Sequence, residues 1–303
     1  TLAAFSVFAR AELDAVVLEV GLGGRLDAVN VVDPHVAVLT SVDLDHQDYL
    51  GPTREDIGRE KAHVFRAGRA AVCGDPDPPA AVIEHARAIG AHLCRIGIDY
   101  GYGATADGTQ WRYHGPGGPR YGLPMPALRG SYQLGNAATA IAALALLRDV
   151  LPVPASAVRD GLVKVELPGR FQVLPGRPTV VLDVAHNPHA ARAFAEALGT
   201  MGYHPRTTAV FGMLADKDID GVIAAIGSRV DRWHVATLPG PRGATGDALQ
   251  ARLRAAGVAA QAMRAFPDIA TAYRAAVDAA TETDRIVVFG SFLTVAAALA
   301  ARR

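Results

Sequence analysis

The chain has 303 residues, half of them apolar, and its 30 basic and 30 acidic side chains leave no formal net charge. That length gives room for about two domains with separate cores, and the balanced charge excludes the basic field that gathers nucleic acid. The longest apolar run, from Ala137 to Leu147, is too short to span a bilayer, and no charged segment leads into a cleavage site. A cytoplasmic protein with neither membrane nor nucleic-acid partners is therefore expected. Cys73 and Cys94 match no disulfide framework and no zinc spacing, and read as ordinary cytosolic thiols.

Residues 1–13, TLAAFSVFARAEL, read as an amphipathic helix with apolar positions at Leu2, Phe5, Phe8 and Leu13. The first residue is Thr1 and the sequence opens inside this helix, so a fragment or trimmed product is expected. DAVVLEV (14–20) and HVAVLTSV (35–42) read as buried parallel strands. TREDIGREKAHVFRAG (53–68) follows as a helix, with Thr53 as N-cap, acids in the first turn and Gly68 past its end. RAAVCG (69–74) reads as a third strand and PPAAVIEHARAIGAHL (78–93) as a helix. Residues 97–130 are rich in Gly, Tyr and Pro and suggest an irregular or hairpin excursion. SYQLGNAATAIAALALLRDV (131–150) is a strongly apolar helix, and a short helix spans Pro154 to Val163.

The turns packed into VELPGRFQVLPGRPT mark a linker. After it, four strand-like runs (TVVLDVAHN, RTTAVFGML, RWHVATL, DRIVVFGS) each lead into a helix, the last from Leu293 to Ala300. This alternation predicts an α/β fold with a doubly wound parallel sheet. The domain division is expected at 1–166, with a linker at 167–175 and a second domain at 176–303.

Gly21 and Gly23 occupy the first and third positions of a dinucleotide-binding G-x-G-x-x-G turn, but Leu26 stands at the sixth. The glycines are better read as permitting a sharp turn and close backbone approach. Ligands of open parallel sheets bind at the carboxyl ends of strands. Glu19 is expected at such an end, and Asp43, Asp45 and His46 at the next, 27 residues on from Glu19 to His46. These groups suit a divalent metal or else a solvated acidic loop. Oxygen ligands favour magnesium or manganese, while an imidazole favours zinc or iron. Lys61 either faces solvent or leans inward beside Ile57 and Val64. Asp183, His186 and Asn187 stand at a later strand end, where an Asp accepts from ribose hydroxyls or caps the next helix. Ser291 suits an anion at a helix N-terminus or is a plain cap.

Eight stretches occur together: EVGLGGRLDAVN, LDHQDYLG, REKAHVF, YQLGNA, LPGRFQ, DVAHNP, GMLADKD and GSFLTV. In that order, over nearly the whole chain, they resemble the folylpolyglutamate synthase and dihydrofolate synthase family of the Mur-ligase superfamily. The resemblance implies a Mur-ligase-like parallel-sheet nucleotide-binding domain, incomplete at its start, followed by a Rossmann-like α/β domain. It implies an ATP-dependent ligase of folate biosynthesis that joins L-glutamate to dihydropteroate or to folates through an acyl phosphate, acting as a monomer. Glu19 and His46 match the family's Mg2+ ligands, and Lys61 matches the lysine that becomes carbamylated. Asn136 matches the asparagine at the adenine, Arg170 the linker arginine at the ATP phosphates, and Asp183 the aspartate near the ribose. His186 matches a histidine the family requires. The resemblance also implies two domains that close over ATP and exclude water from the acyl phosphate.

One departure is large. The family carries a glycine-rich phosphate loop ahead of the first matched stretch, and these residues contain no G-x-x-x-x-G-K-[ST]. The 303 residues alone are expected to have little ligase activity. DVAHNP where DGAHNP is common is a smaller change. A muramyl-peptide ligase and a non-catalytic nucleotide- or folate-binding paralogue are the competing readings. EVGLGGRLDA favours the folate branch over the first.

Overall fold

The computed structural model describes residues 1–130 and 132–302. Ser131, with which the sequence-expected helix at 131–150 begins, lies outside the described residues. Leu2–Phe8 forms α1, a helix with no buried residue. The run 14–20 has the composition of a strand but is not one here: no ladder among the described residues pairs with it, and Val17 is 96% exposed. A strand exists through its partners' hydrogen bonds, so composition alone does not make one.

Regular structure resumes at β1 (Val36–Leu39), followed by the short helix α2 (Gln47–Leu50) and α3 (Arg54–Ala62). Thr53 starts α3 with a reciprocal capping box: its hydroxyl accepts from the Asp56 N–H, and the Asp56 carboxylate accepts from the Thr53 N–H. Next come β2 (Ala70–Cys73), α4 (Ala80–Ala88) and β3 (His92–Arg95), the last a strand where the sequence suggested the end of a helix. The order β1-β2-β3 is parallel throughout. Residues 97–130 form a three-stranded antiparallel sheet of β4 (Gly101–Ala104), β5 (Gln110–His114) and β6 (Arg120–Pro124). Then follow α5 (Gln133–Leu146) and α6 (Ala155–Lys164). One core, around Ala37, Ile57, Phe65 and Val82, fills one face of the parallel sheet, and a second, around Val72, Trp111, Tyr113 and Ile141, fills the other.

The remaining elements are β7 (Gln172–Leu174), β8 (Thr179–Leu182), α7 (Pro188–Gly199), β9 (Thr207–Phe211) and α8 (Ile219–Ile226). They continue through β10 (Arg232–Ala236), α9 (Gly246–Ala255), β11 (Met263–Phe266), α10 (Ile269–Ala279), β12 (Arg285–Phe289) and α11 (Phe292–Ala301). They build one six-stranded sheet, β11-β10-β9-β12-β8-β7, in which only β7 runs antiparallel to its neighbour. Each face of this sheet has its own core. Phe194, Val222 and Leu249 belong to one, and Ile269, Tyr273 and Val295 to the other.

The chain thus divides into two units, residues 1–127 with 132–165, and residues 128–131 with 166–303. The stretch 167–175, expected as a linker, belongs to the second unit, where β7 pairs with β8 along Gln172–Leu174.

Candidate functional site

In the first unit the glycine cluster is a turn clamped by Asp27. Its carboxylate accepts from the N–H groups of Gly21, Leu22 and Val29. Burial opposes ionisation of this carboxylate, but those three donors outweigh it and hold it below the usual aspartate range. Gly23 is left-handed (φ +70) and sits against Leu50 of α2. Gly24 lies on the last turn of α3, where a Cβ would come within 2.6 Å of the Glu60 carbonyl and 3.0 Å of that of Lys61. The Arg25 N–H donates to the same Glu60 carbonyl at 3.3 Å. The turn that follows Glu19 is therefore fitted to the helix carrying Lys61. Glu19 itself is exposed.

The loop after β1 reaches the same helix. His46 caps α2 in the left-handed region (φ 53, ψ 37), and its ring Nε2 is 3.8 Å from Asp45. Burial pushes the Lys61 ammonium below the ordinary lysine value, against the pull of the Asp45 carboxylate. Two residues that the motifs did not single out fix this loop. Asp75, buried just after β2, accepts from the Val42 N–H at 2.8 Å, and Arg54 donates to the Val42 carbonyl at 2.9 Å. The only signal for Asp75 was an aspartate one residue past a strand-ending glycine. Among the described residues no group of three or more His, Cys, Asp or Glu side chains converges on one point. The side chains expected at a metal, Glu19 and His46, therefore offer one oxygen and one nitrogen donor.

Asn136 projects from the first turn of α5, exposed, with its amide donating to Gln133. One turn later Thr139 closes on Gly74, past the end of β2: a Cβ there would lie 2.7 Å from the Thr139 hydroxyl. The Tyr100 hydroxyl bridges the Cys73 carbonyl and Thr139 Oγ. The start of α5 is thereby pinned to the carboxyl edge of the parallel sheet.

In the second unit three of the quoted motifs pack together at the carboxyl ends of β8 and β12. The Val184 N–H donates to the Gly169 carbonyl, and Gly169 (φ +73) is close against Val184 and Val295. The Arg170 guanidinium stacks over the Phe292 ring, 5.4 Å from its centroid. Phe171 is left-handed (φ 44), with its ring buried edge-on against Phe194. Asp183 holds that backbone. Its two oxygens accept from the N–H groups of Phe171 and Ala185, each at 2.8 Å. Burial raises the proton affinity of Asp183, opposed by those two bonds and by Arg170 and His186. At 5% exposure Asp183 braces the segments that carry Arg170 and His186. The His186 ring Nδ1 is 2.9 Å from the Val184 carbonyl. Asn187, and not Asp183, caps the following helix, through the Ala190 N–H. Ser291 caps α11 through the Leu293 N–H.

His46 and Phe171 are the two non-glycine residues with positive φ among those described. Such conformations are uncommon, and for a bulky aromatic residue rare, and they gather where a site over-determines the backbone. One is a sequence-derived site residue and the other directly follows Arg170.

Comparison with known proteins identifies the family. Residues 1–144 match the Mur ligase middle domain and residues 169–292 the Mur ligase glutamate ligase domain. The chain is 45% identical over 296 residues to the dihydrofolate synthase/folylpolyglutamate synthase of Escherichia coli K12, covering 98% of this chain and 67% of that protein. It is 38% identical to the Haemophilus influenzae protein of the same name, covering 98% and 70%. The structure of E. coli FolC in complex with DHPP and ADP superposes with a TM-score of 0.92 at 44% identity, over 99% of this chain and 69% of that one. The Yersinia pestis enzyme complexed with AMPPNP and manganese gives 0.89 at 46%, over 99% and 69%. The chain belongs to the dihydrofolate synthase/folylpolyglutamate synthase family of Mur ligases.

Proposed function

We propose that the protein is an ATP-dependent carboxylate–amine ligase of folate metabolism. It joins L-glutamate to dihydropteroate, to folates, or to both. The observation that supports this most is the pair of left-handed residues, His46 and Phe171, at the two motifs given metal and phosphate roles. In the reaction the substrate carboxylate attacks the γ-phosphate of ATP, and the glutamate amine then displaces phosphate from the acyl carbon. The chemical demand is to hold and neutralise clustered negative charge as the phosphoryl group moves.

The residues divide this work. Glu19 and His46 hold a divalent metal, magnesium in our reading, which supplies positive charge at the phosphates. Lys61 in its carbamylated form supplies a further carboxylate. Carbamylation needs an unprotonated amine, and burial of Lys61 favours one. Asn136 presents its side-chain amide to the adenine, and its exposure at the start of α5 suits that role. Arg170 meets the phosphates with a planar guanidinium kept in orientation by Phe292. Asp183 positions Arg170 and His186 through the Phe171 and Ala185 amides. We assign the protein to the cytoplasm as a monomer. Among the described residues no helix is long and apolar enough to cross a membrane.

The protein expressed from its own gene is expected to form ADP when given dihydropteroate and L-glutamate, and not when given a UDP-linked muramyl peptide. ADP formation with the muramyl acceptor alone would overturn the folate assignment. The 303 residues hold no G-x-x-x-x-G-K-[ST], and in isolation they are expected to release little phosphate. Full turnover by that isolated stretch would refute the need for such a loop.

A further inference from the structure

The far end of α5 carries a feature that none of the roles assigned above uses. Ile141, Leu144 and Ala145 of α5 and Val158 of α6 wall a cavity of about 130 Å³, completed by two guanidinium groups, Arg120 of β6 and Arg148. No acidic side chain lines it. Arg120 Nε is buried and has no hydrogen-bond partner among the described residues. Arg148 has an exposed pairing with its neighbour Asp149 at 3.5 Å. Ala145 is nine residues along α5 from Asn136, about 13 Å at helical rise, so the cavity is separate from the nucleotide end of that helix.

We infer that this cavity binds a small aliphatic monocarboxylate. The tail lies on the α5–α6 wall and the carboxylate accepts from Arg120. Three observations combine. Two guanidinium groups line the cavity and no carboxylate faces them there, so an anionic acceptor offsets their charge. The apolar wall gives a hydrocarbon tail a surface that a bare inorganic anion leaves unused. The volume of about 130 Å³ is close to the ~150 Å³ of an apolar cavity that admits benzene, which limits the enclosed tail to a few carbons.

Isothermal titration of isovalerate into the 303-residue protein tests this, with 3-methylbutan-1-ol and inorganic phosphate titrated alongside. Saturable one-to-one binding of isovalerate is expected, with the alcohol and the phosphate each weaker by at least about tenfold. Arg120→Met removes an unsatisfied donor, so its thermal midpoint should hold or rise while isovalerate binding falls by at least about tenfold. Ala145→Leu, which fills the cavity and keeps Arg120, should weaken binding comparably and serves if the first variant fails to fold. Asn136→Ala should leave isovalerate binding unchanged. Phosphate binding as tightly as isovalerate, the alcohol matching isovalerate, no saturation, or binding indifferent to both cavity variants would each overturn the inference.

Discussion

Burial leaves Lys61 with a weaker hold on its proton than a free lysine has, and two consequences follow at this residue. Between the depressed folded value and the ordinary 10.5, the unfolded chain binds the proton that the folded chain has lost, so this group's contribution to stability rises with pH across that window. Below the window the buried ammonium is a penalty. The same shift favours carbamylation: 13C-bicarbonate should give a carbamate 13C resonance that grows as pH rises and is absent in Lys61→Arg. A resonance surviving in that variant would place the modification elsewhere. Asp183 makes a different kind of contribution. Replacing it by Ala leaves the Phe171 and Ala185 amides without their acceptor, at roughly 1–3 kcal/mol each, less whatever water recovers. A loss of about 2–4 kcal/mol in urea unfolding is expected for Asp183→Ala. A loss below about 0.5 kcal/mol would show that the brace is unimportant. The residue types at the site were legible because the motifs name them. Asp75 and Arg54 were not, because their partners are backbone groups distant in sequence, and no spacing rule encodes such a bond.

Among the elements, α3 was legible because its start is chemical: Thr53 and Asp56 make a local capping box that the sequence displays directly. The run 14–20 misled because its β-branched composition says nothing about whether a partner strand is beside it. β3 was absorbed into a helix, since His92–Arg95 is four residues long and follows an apolar helical pattern. The pair β11 and α10 went unread, for Met263–Phe266 mixes an arginine into a run too short to show alternation. The excursion at 97–130, expected as irregular or a hairpin, is a three-stranded antiparallel sheet; β5 keeps the two-residue burial period while its register against β6 shifts between Trp111 and Tyr113. The glycine cluster yields a prediction at this scale. Gly24→Ala would place a Cβ 2.6 Å from the Glu60 carbonyl, so either the turn or the last turn of α3 must shift. A destabilisation of about 1–3 kcal/mol is expected, and in the protein expressed from its own gene a loss of turnover through displaced Lys61. A variant with unchanged urea midpoint and unchanged turnover would refute the close fit.

Over the whole molecule, the strand–helix rhythm was legible, and the α/β expectation with its parallel sheets matches what both units contain. Less legible was the antiparallel edge strand β7, which lies inside the stretch read as a linker, because Pro and Gly turns on either side mask three strand residues. The second unit has a hydrophobic core on each face of a six-stranded sheet, the usual basis of an independently folding domain. Residues 166–303 expressed alone should therefore unfold cooperatively in urea. A broad, non-cooperative loss of circular dichroism would contradict this. The left-handed backbone at His46 has a consequence for engineering. Such a conformation costs of order 1–3 kcal/mol in a non-glycine residue, so His46→Gly should match or exceed the parent in thermal midpoint while losing turnover. A library selected for heat resistance alone would drift toward glycine there and return sturdier proteins that no longer work. Selection in such a library has to be on product formed, with melting temperature used only to rank the survivors.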